Sequence, residues 1–292
     1  CCGTGGFLIN SIEHIRENEV DNKQDEKTLQ ENVFGFEKKP LPTLLSITNL
    51  ILHGVEIPKN LIRKNPLNRP LRDYTNNDYV DIILTNPPFG GVEESSVKGN
   101  FPTNYQTTET ADLFLHLITV LLKNKGKAGI VLPDGSLTGT GVKERIRENL
   151  LKSCNVHTIV KLPNSVFKPY ATVSTNMIFL EKGSPTKEIW YYEHQLPEGL
   201  KNYSKTKPIK FEDFSKLQEW WNDRKENNFA WKVSIKEIEQ NKWELDCKNP
   251  FEEKIIIKNP QEIMKKLGEL DKSYIEEFDN LNNEIKKFID EN

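Results

Sequence analysis

The tightest constraint on this chain is one junction: residues 78–85, DYVDIILT, run without a break into Asn86-Pro87-Pro88-Phe89-Gly90-Gly91. An apolar, β-branched stretch of that length predicts a buried strand. Two consecutive prolines fix φ at about −65° and remove two backbone donors, so the strand stops there and the turn behind it is rigid. A buried strand needs neighbours, and the flanking pattern supplies them. Residues 8–17 predict a helix, 33–37 a short strand and 40–52 an apolar helix opened by Pro40-Leu41-Pro42. Residues 109–122 predict a helix, 127–132 a strand, 133–135 a turn and 142–152 a helix. Residues 156–162 and 173–181 then predict strands, with 189–193 as an edge strand. This alternation implies an α/β sheet covered by helices on both faces. The charged stretch 17–31 reads as a solvated insert or helix face. The polar stretch 91–108 reads as a long loop, free to close over a bound group.

From residue 211 the character changes. Trp220, Trp221 and Trp231 stand among charges, and the chain then turns rich in Lys, Asn and Glu. Its last part repeats apolar residues at Ile263, Leu267, Leu270, Tyr274, Phe278, Leu281, Ile285 and Phe288, in steps of three and four that mark one face of a helix. A helix so polar elsewhere needs something to pack on. A partner or a coiled coil is the favoured reading, and packing back onto its own domain the other. The expected organisation is a catalytic domain over 1–210 and a helical, subunit-docking region over 211–292.

Hydrophobic residues at 36% and charged residues at 28% belong to a chain with a core, which excludes a disordered tail. The net charge of −3 argues against a protein that grips nucleic acid unaided, because phosphate neutralisation supplies most of such affinity. Cys1, Cys2, Cys154 and Cys247 form no CxxC pair and no zinc-like spacing with histidine. Reduced thiols in a cytoplasmic protein are the plain reading. No apolar run approaches the ~20 residues that span a bilayer.

Asn86-Pro87-Pro88-Phe89 suits one kind of chemistry. An exocyclic amine such as N6 of adenine is a poor nucleophile, because its lone pair is conjugated with the ring. Two acceptors on its hydrogens, the Asn86 side-chain oxygen and the Pro87 carbonyl, draw the nitrogen toward a tetrahedral shape and free the lone pair. Pro87 and Pro88 hold those acceptors in place. Phe89 offers a ring for a flipped base to stack on, worth ~1–3 kcal/mol. At the chain start, Gly3, Thr4, Gly5, Gly6 and Phe7 read as a glycine turn into a helix, where the backbone can pass close to a cofactor. Glu37, ending the next strand, is positioned to accept from ribose hydroxyls. Asn65, before strand 78–85, is a candidate contact to a cofactor adenine.

Together these segments resemble the modification (M) subunits of type I restriction-modification systems, N6-adenine methyltransferases of DNA. Cys2 to Phe7 match the second half of that family's Asp-Pro-x-x-Gly-x-Gly-Gly-Phe cofactor motif, and Asn86 to Phe89 its catalytic Asn-Pro-Pro-Phe. Gly90-Gly91-Val92-Glu93, Asn100-Phe101-Pro102, Thr110-Ala111-Asp112-Leu113-Phe114 and Val131-Leu132-Pro133-Asp134-Gly135 resemble it too, as do Leu162-Pro163-Asn164 through Phe167 with Pro169-Tyr170, and the Trp220 to Trp231 stretch. The resemblance implies a Rossmann-like sheet, S-adenosyl-L-methionine as cofactor, and DNA, a specificity (S) subunit, a restriction (R) subunit and a second M subunit as partners. The start of the cofactor motif, the strand before it and a helical N-terminal domain have no counterpart here. The chain is therefore expected to be a piece of a longer protein, with its first strand missing, and poorly folded or inactive by itself. Two rival readings remain: a catalytically dead remnant that keeps subunit-binding surfaces, and a methyltransferase of a non-DNA amide or amine.

Overall fold

A computed structural model of the chain describes residues 1–169, 171–252 and 260–290; Tyr170 lies outside them, as does the side chain of Phe288. The chain divides into two units, Cys1–Phe251 and Glu252–Asn292.

The first unit opens with helices α1 (Gly6–Glu19) and α2 (Lys23–Asn32), strand β1 (Gly35–Glu37), helix α3 (Pro40–Leu52) and strand β2 (Leu61–Arg63). The charged stretch thus resolves into α2, capped at its start by the Asn22 side chain, which accepts from Gln24 and Asp25 backbone N–H groups. Helix α3 is apolar yet turns Thr43 and Ser46 inward and leaves Leu41, Leu44, Leu45 and Leu52 exposed. Small residues face in because α1 begins against this helix: a Cβ on Gly5 would lie 2.5 Å from the Ser46 Oγ. Strands β1 and β2 pair in parallel as a sheet of their own.

Strand β3 (Val80–Thr85), helices α4 (Ser95–Lys98) and α5 (Thr110–Leu121), strand β4 (Leu122–Pro133), helices α6 (Asp134–Leu137) and α7 (Val142–Ser153), and strands β5 (Cys154–Leu162), β6 (Thr175–Lys182) and β7 (Glu188–Glu193) follow. Helix α8 (Ser215–Asn222), strand β8 (Ala230–Ser234) and helix α9 (Ile235–Gln240) complete the unit. The main sheet has the order β3-β4-β6-β5-β7-β8. Its β3–β4 and β5–β7 pairs are parallel and the others antiparallel. Helices α5, α7 and α9 bury Leu115, Ile118, Ile146, Leu150 and Ile238 against Ile130, Leu132, Ile159 and Ile178 on one face. Helix α8 covers Val160, Leu162 and Tyr192 on the other with Leu217 and Trp220. The α/β sheet with helices on both faces is as expected.

Five expectations are corrected. Strand β3 is an edge strand, not a buried one: among the described residues it pairs only with β4, and Ile82 and Leu84 are 63% and 44% exposed. The described strands form two sheets instead of one. Strand β7 is internal rather than an edge, because β8 pairs along its outer side. The turn at 133–135 continues as the short helix α6. Residues 91–108 are anchored rather than a free loop, with Val97 and Phe101 buried beside Leu67, Leu113, Phe114 and Leu117. The boundary falls after Phe251, not after residue 210. Trp231, Ile238 and Leu245 sit in the main core, each contributing roughly 1.5–3 kcal/mol by burial, so 211–251 belongs to the sheet.

The second unit holds α10 (Pro260–Asp290). Along it Ile263, Leu267, Leu270, Tyr274, Phe278, Leu281 and Ile285 are all exposed. Among the described residues no helix is long and apolar enough to cross a membrane.

Candidate active site

The glycine turn is built by backbone geometry. Gly3 and Gly5 have φ of +57° and +91°, a left-handed region that costs other residues about 1–2 kcal/mol. Cys2 N–H donates to the Phe36 carbonyl at 2.9 Å, which lays the turn beside β1, and Asn49 Nδ2 donates to the Thr4 carbonyl at 2.9 Å. At the end of β1, buried Glu37 accepts from Gly3 N–H at 3.0 Å and from Lys39 N–H at 2.9 Å, one on each oxygen. A carboxylate has about four lone-pair sites, so roughly half its accepting capacity stays open. A Cβ added at Gly3 or Gly6 would meet nothing within 4 Å, and α1 starts there with its first N–H groups unpaired. Expected partners Gly3 and Glu37 are thus brought together, with Thr4, Gly5 and Gly6 in the same turn and Phe7 on the first turn of α1, 40% exposed. Open space beside an acidic acceptor and free N–H groups fits a cofactor with ribose hydroxyls and an amino-acid end.

Asn65 is differently employed. Its Oδ1 accepts from Leu67 N–H at 3.1 Å, capping a short 3-10 turn, and its Nδ2 donates to Glu93 Oε2 at 2.9 Å. One Nδ2 hydrogen is left for a ligand.

At the end of β3, Thr85 and Pro87 are buried and Phe89 is half-buried. The Asn86 Oδ1 is buried with no hydrogen-bond partner among the described residues. Phe89 meets the edge of Phe167, with ring centroids 5.3 Å apart and planes at 82°. Behind this turn the chain is pinned to α5: Thr110 N–H donates to the Gly91 carbonyl at 2.9 Å, and a Cβ on Gly91 would lie 2.8 Å from the Thr110 Oγ1. The carboxyl ends of parallel strands are where open α/β sheets bind ligands, and both the Glu37 and the Asn86 turns stand at such ends.

Residues 1–258 match the N-6 DNA Methylase family. The chain belongs to that family. It is 51% identical over 270 residues to the Escherichia coli type I restriction enzyme EcoEI methylase subunit, covering 90% of this chain and 55% of that one. A modification subunit from Vibrio vulnificus YJ016 superimposes with a TM-score of 0.80 at 46% identity, over 86% of this chain and 55% of its own. A chain from a structural study of type I restriction-modification complex assembly gives a TM-score of 0.81 at 34% identity, over 98% and 61%. The chain spans about half the length of the curated relatives it matches.

Three features of this N-6 DNA methylase chain were not singled out by sequence. Phe167 lay inside a family-like segment, but only the fold shows that it walls Phe89. Glu93, 7% exposed, accepts from Asn65 Nδ2 at 2.9 Å, from Lys38 Nζ at 3.1 Å and from Thr110 Oγ1 at 3.3 Å. Asn176, on β6, donates to Asp134 Oδ1 at 2.7 Å, while its own Oδ1 and the Thr175 Oγ1 are buried without partners. No sequence signal pointed to Asn176; the antiparallel pairing of β6 with the end of β4 brings it there.

Proposed function

We propose that the chain is the catalytic part of a type I modification subunit that transfers a methyl group to N6 of adenine in DNA. The observation that carries this reading is the buried, partnerless Asn86 Oδ1 at the head of a Pro-Pro turn. Leaving such an acceptor unpaired costs ~1–3 kcal/mol, and a group of this kind in a folded protein asks for an explanation. An amine hydrogen of the substrate supplies it. The Pro87 carbonyl accepts the second amine hydrogen, so the nitrogen lone pair is turned out of conjugation before transfer begins. Phe89 stacks the flipped base, and Phe167, edge-on to Phe89, bounds the pocket on one side.

Gly3, Thr4, Gly5, Gly6 and Phe7 would line the cofactor's amino-acid end, Glu37 would take its ribose hydroxyls, and Asn65 would offer its spare Nδ2 hydrogen to the adenine. S-adenosyl-L-methionine, when bound, would supply an electrophilic methyl group and leave as the neutral thioether, S-adenosyl-L-homocysteine, so the protein needs no strong base. Asn86 and the Pro87 carbonyl orient the nitrogen, and its surplus proton leaves to water once the nitrogen carries the extra bond.

The partners in this reading are DNA, a specificity subunit that reads a bipartite site, a restriction subunit and a second modification subunit. The exposed apolar stripe of α10 supports a docking role for that helix. The test maps N6-methyladenine across the host genome with the complete gene and with its Asn86→Ala version. Loss of methylation at one bipartite, gapped motif is the expected result. An unchanged map means a silent remnant or a different amine substrate.

A further inference from the structure

The chain as a whole is acidic, yet residues 199–211 contain four lysines and no acid. Lys201, Lys205 and Lys207 are exposed, and among the described residues no carboxylate forms an ion pair with them. The segment is not loose. Tyr203 in its middle is 2% exposed; its N–H donates to the buried Ser165 Oγ at 3.0 Å, and its hydroxyl lies 3.3 Å from the His194 Nε2. Just beyond, Ser204 and Lys207 exchange backbone hydrogen bonds of 3.0 and 3.1 Å, closing a turn that carries Lys205 and Thr206 at its tip. The flanking acids are Glu198, Glu212 and Asp213; Asp213 accepts from Lys210 N–H at 2.9 Å, and its charge bears on the Tyr203 hydroxyl.

Ser165 is two residues from Phe167, at most about 7 Å of chain, and Phe167 packs on Phe89. The basic turn is therefore fastened to the segment that walls the candidate base pocket. We infer that Lys201, Lys205 and Lys207 form a strap that binds the phosphodiester backbone of DNA beside the flipped adenine. The inference rests on the adenine-in-DNA reading above. Lysines grip phosphates as point charges and read no bases, which suits a subunit whose site recognition lies elsewhere. Three ammonium groups held at one rim give local grip to a chain whose net charge of −3 would otherwise repel DNA.

The test uses the complete protein assembled with its partner subunits. DNA affinity is measured against salt concentration for wild type, for Lys201→Gln/Lys205→Gln/Lys207→Gln, and for a control pair on α2, Lys23→Gln/Lys27→Gln. Each lost phosphate contact lowers the slope of log K on log salt by about 0.9, so the triple variant is expected to lose between about 1 and 3, and the control nothing. A loss smaller than one contact, an equal loss in the control, or release of a partner subunit in place of a changed slope overturns the strap. Methyl transfer by the wild type in the same preparation tests the function separately: a wild type that methylates DNA with an unchanged triple-variant slope removes the strap alone, and a wild type that methylates nothing removes the function.

Discussion

Replacing Asn86 by alanine is expected to make the protein more stable while removing its activity. The Asn86 Oδ1 is buried with no partner, a state that costs ~1–3 kcal/mol in the free protein. Alanine deletes that acceptor together with a small amount of packing, so the net gain is about 0.5–2 kcal/mol. For a unit of this size each kcal/mol moves Tm by about 2–4 °C, which gives a rise of roughly 1–8 °C. In the proposed reaction the same oxygen would be one of two preorganised groups on the amine, and removal of one such group costs about 10²–10³ in rate. Urea denaturation without cofactor or DNA reads the first effect, and single-turnover methyl transfer by the assembled enzyme reads the second. The opposite signs are the point: an ordinary structural asparagine loses stability when truncated. A variant less stable than wild type by 1 kcal/mol, or one that keeps transfer within about threefold, refutes the assignment of this oxygen to the substrate.

Gly5→Ala forces a side chain into φ +91° with its Cβ 2.5 Å from the Ser46 Oγ; a cofactor Kd raised about tenfold (~1.4 kcal/mol) is expected by calorimetry, and an unchanged Kd counts against the glycine turn as the cofactor cradle. Arg147, fully buried, donates to the carbonyls of Trp243, Thr138 and Gly139 at 2.7, 2.7 and 2.5 Å, so Arg147→Met is expected to cost about 3–5 kcal/mol in urea unfolding; a loss under 1 kcal/mol means those carbonyls find water instead. Burial lowers the His116 imidazole from 6.5 to about 4. The unfolded chain therefore binds a proton that the folded one refuses, and stability held above pH 6.5 falls toward pH 4 with a slope of about 1.4 kcal/mol per unit from this group. His157, also lowered to about 4 by burial, and His194, lowered by the same cause, add like terms, so His116→Phe should remove roughly a third to a half of the histidine slope between pH 6.5 and 4.5, and an unaltered slope refutes it.

What could be read in the sequence was whatever local chemistry decides. Pro40 at a helix start, the stop at Pro87-Pro88 and the β-branched runs of β4, β5 and β6 each act within a few residues, and the elements stand where those signals put them. Asn86, the glycines and Glu37 stand out as candidates because their residue types at those places suit few other tasks. Features that depend on distant partners were not legible. Ile82 and Leu84 look like core residues in a string of letters, but their exposure is set by whether a ladder forms on the outer side of β3. Val97 and Phe101 were too sparse to reveal an anchored segment, since the surface that buries them comes from Leu67 and α5. Trp231 carried no sign of its strand; it joins the core because β7 offers its outer edge, and Trp231 then stacks on Tyr191 with centroids 5.5 Å apart.

In the proposed function a methyl donor and an amine would be held at one separation, set between two turns that lie on different sheets. Glu93 sits where this can be done. It follows the Asn86–Phe89 turn by four residues, and its carboxylate binds Lys38, the neighbour of Glu37, at 3.1 Å and Asn65 at 2.9 Å. A carboxylate only 7% exposed cannot drop those partners without leaving a buried charge unpaired, a penalty of about 3–5 kcal/mol. Thr110 closes the arrangement from α5, donating to the same carboxylate at 3.3 Å and, through its N–H, to Gly91 at 2.9 Å. The segment after the Asn86–Phe89 turn, the end of β1 and the start of α5 are therefore bound to one point. Among the described residues the two sheets share no ladder hydrogen bond, and this buried carboxylate links the turns through side-chain contacts on both sides.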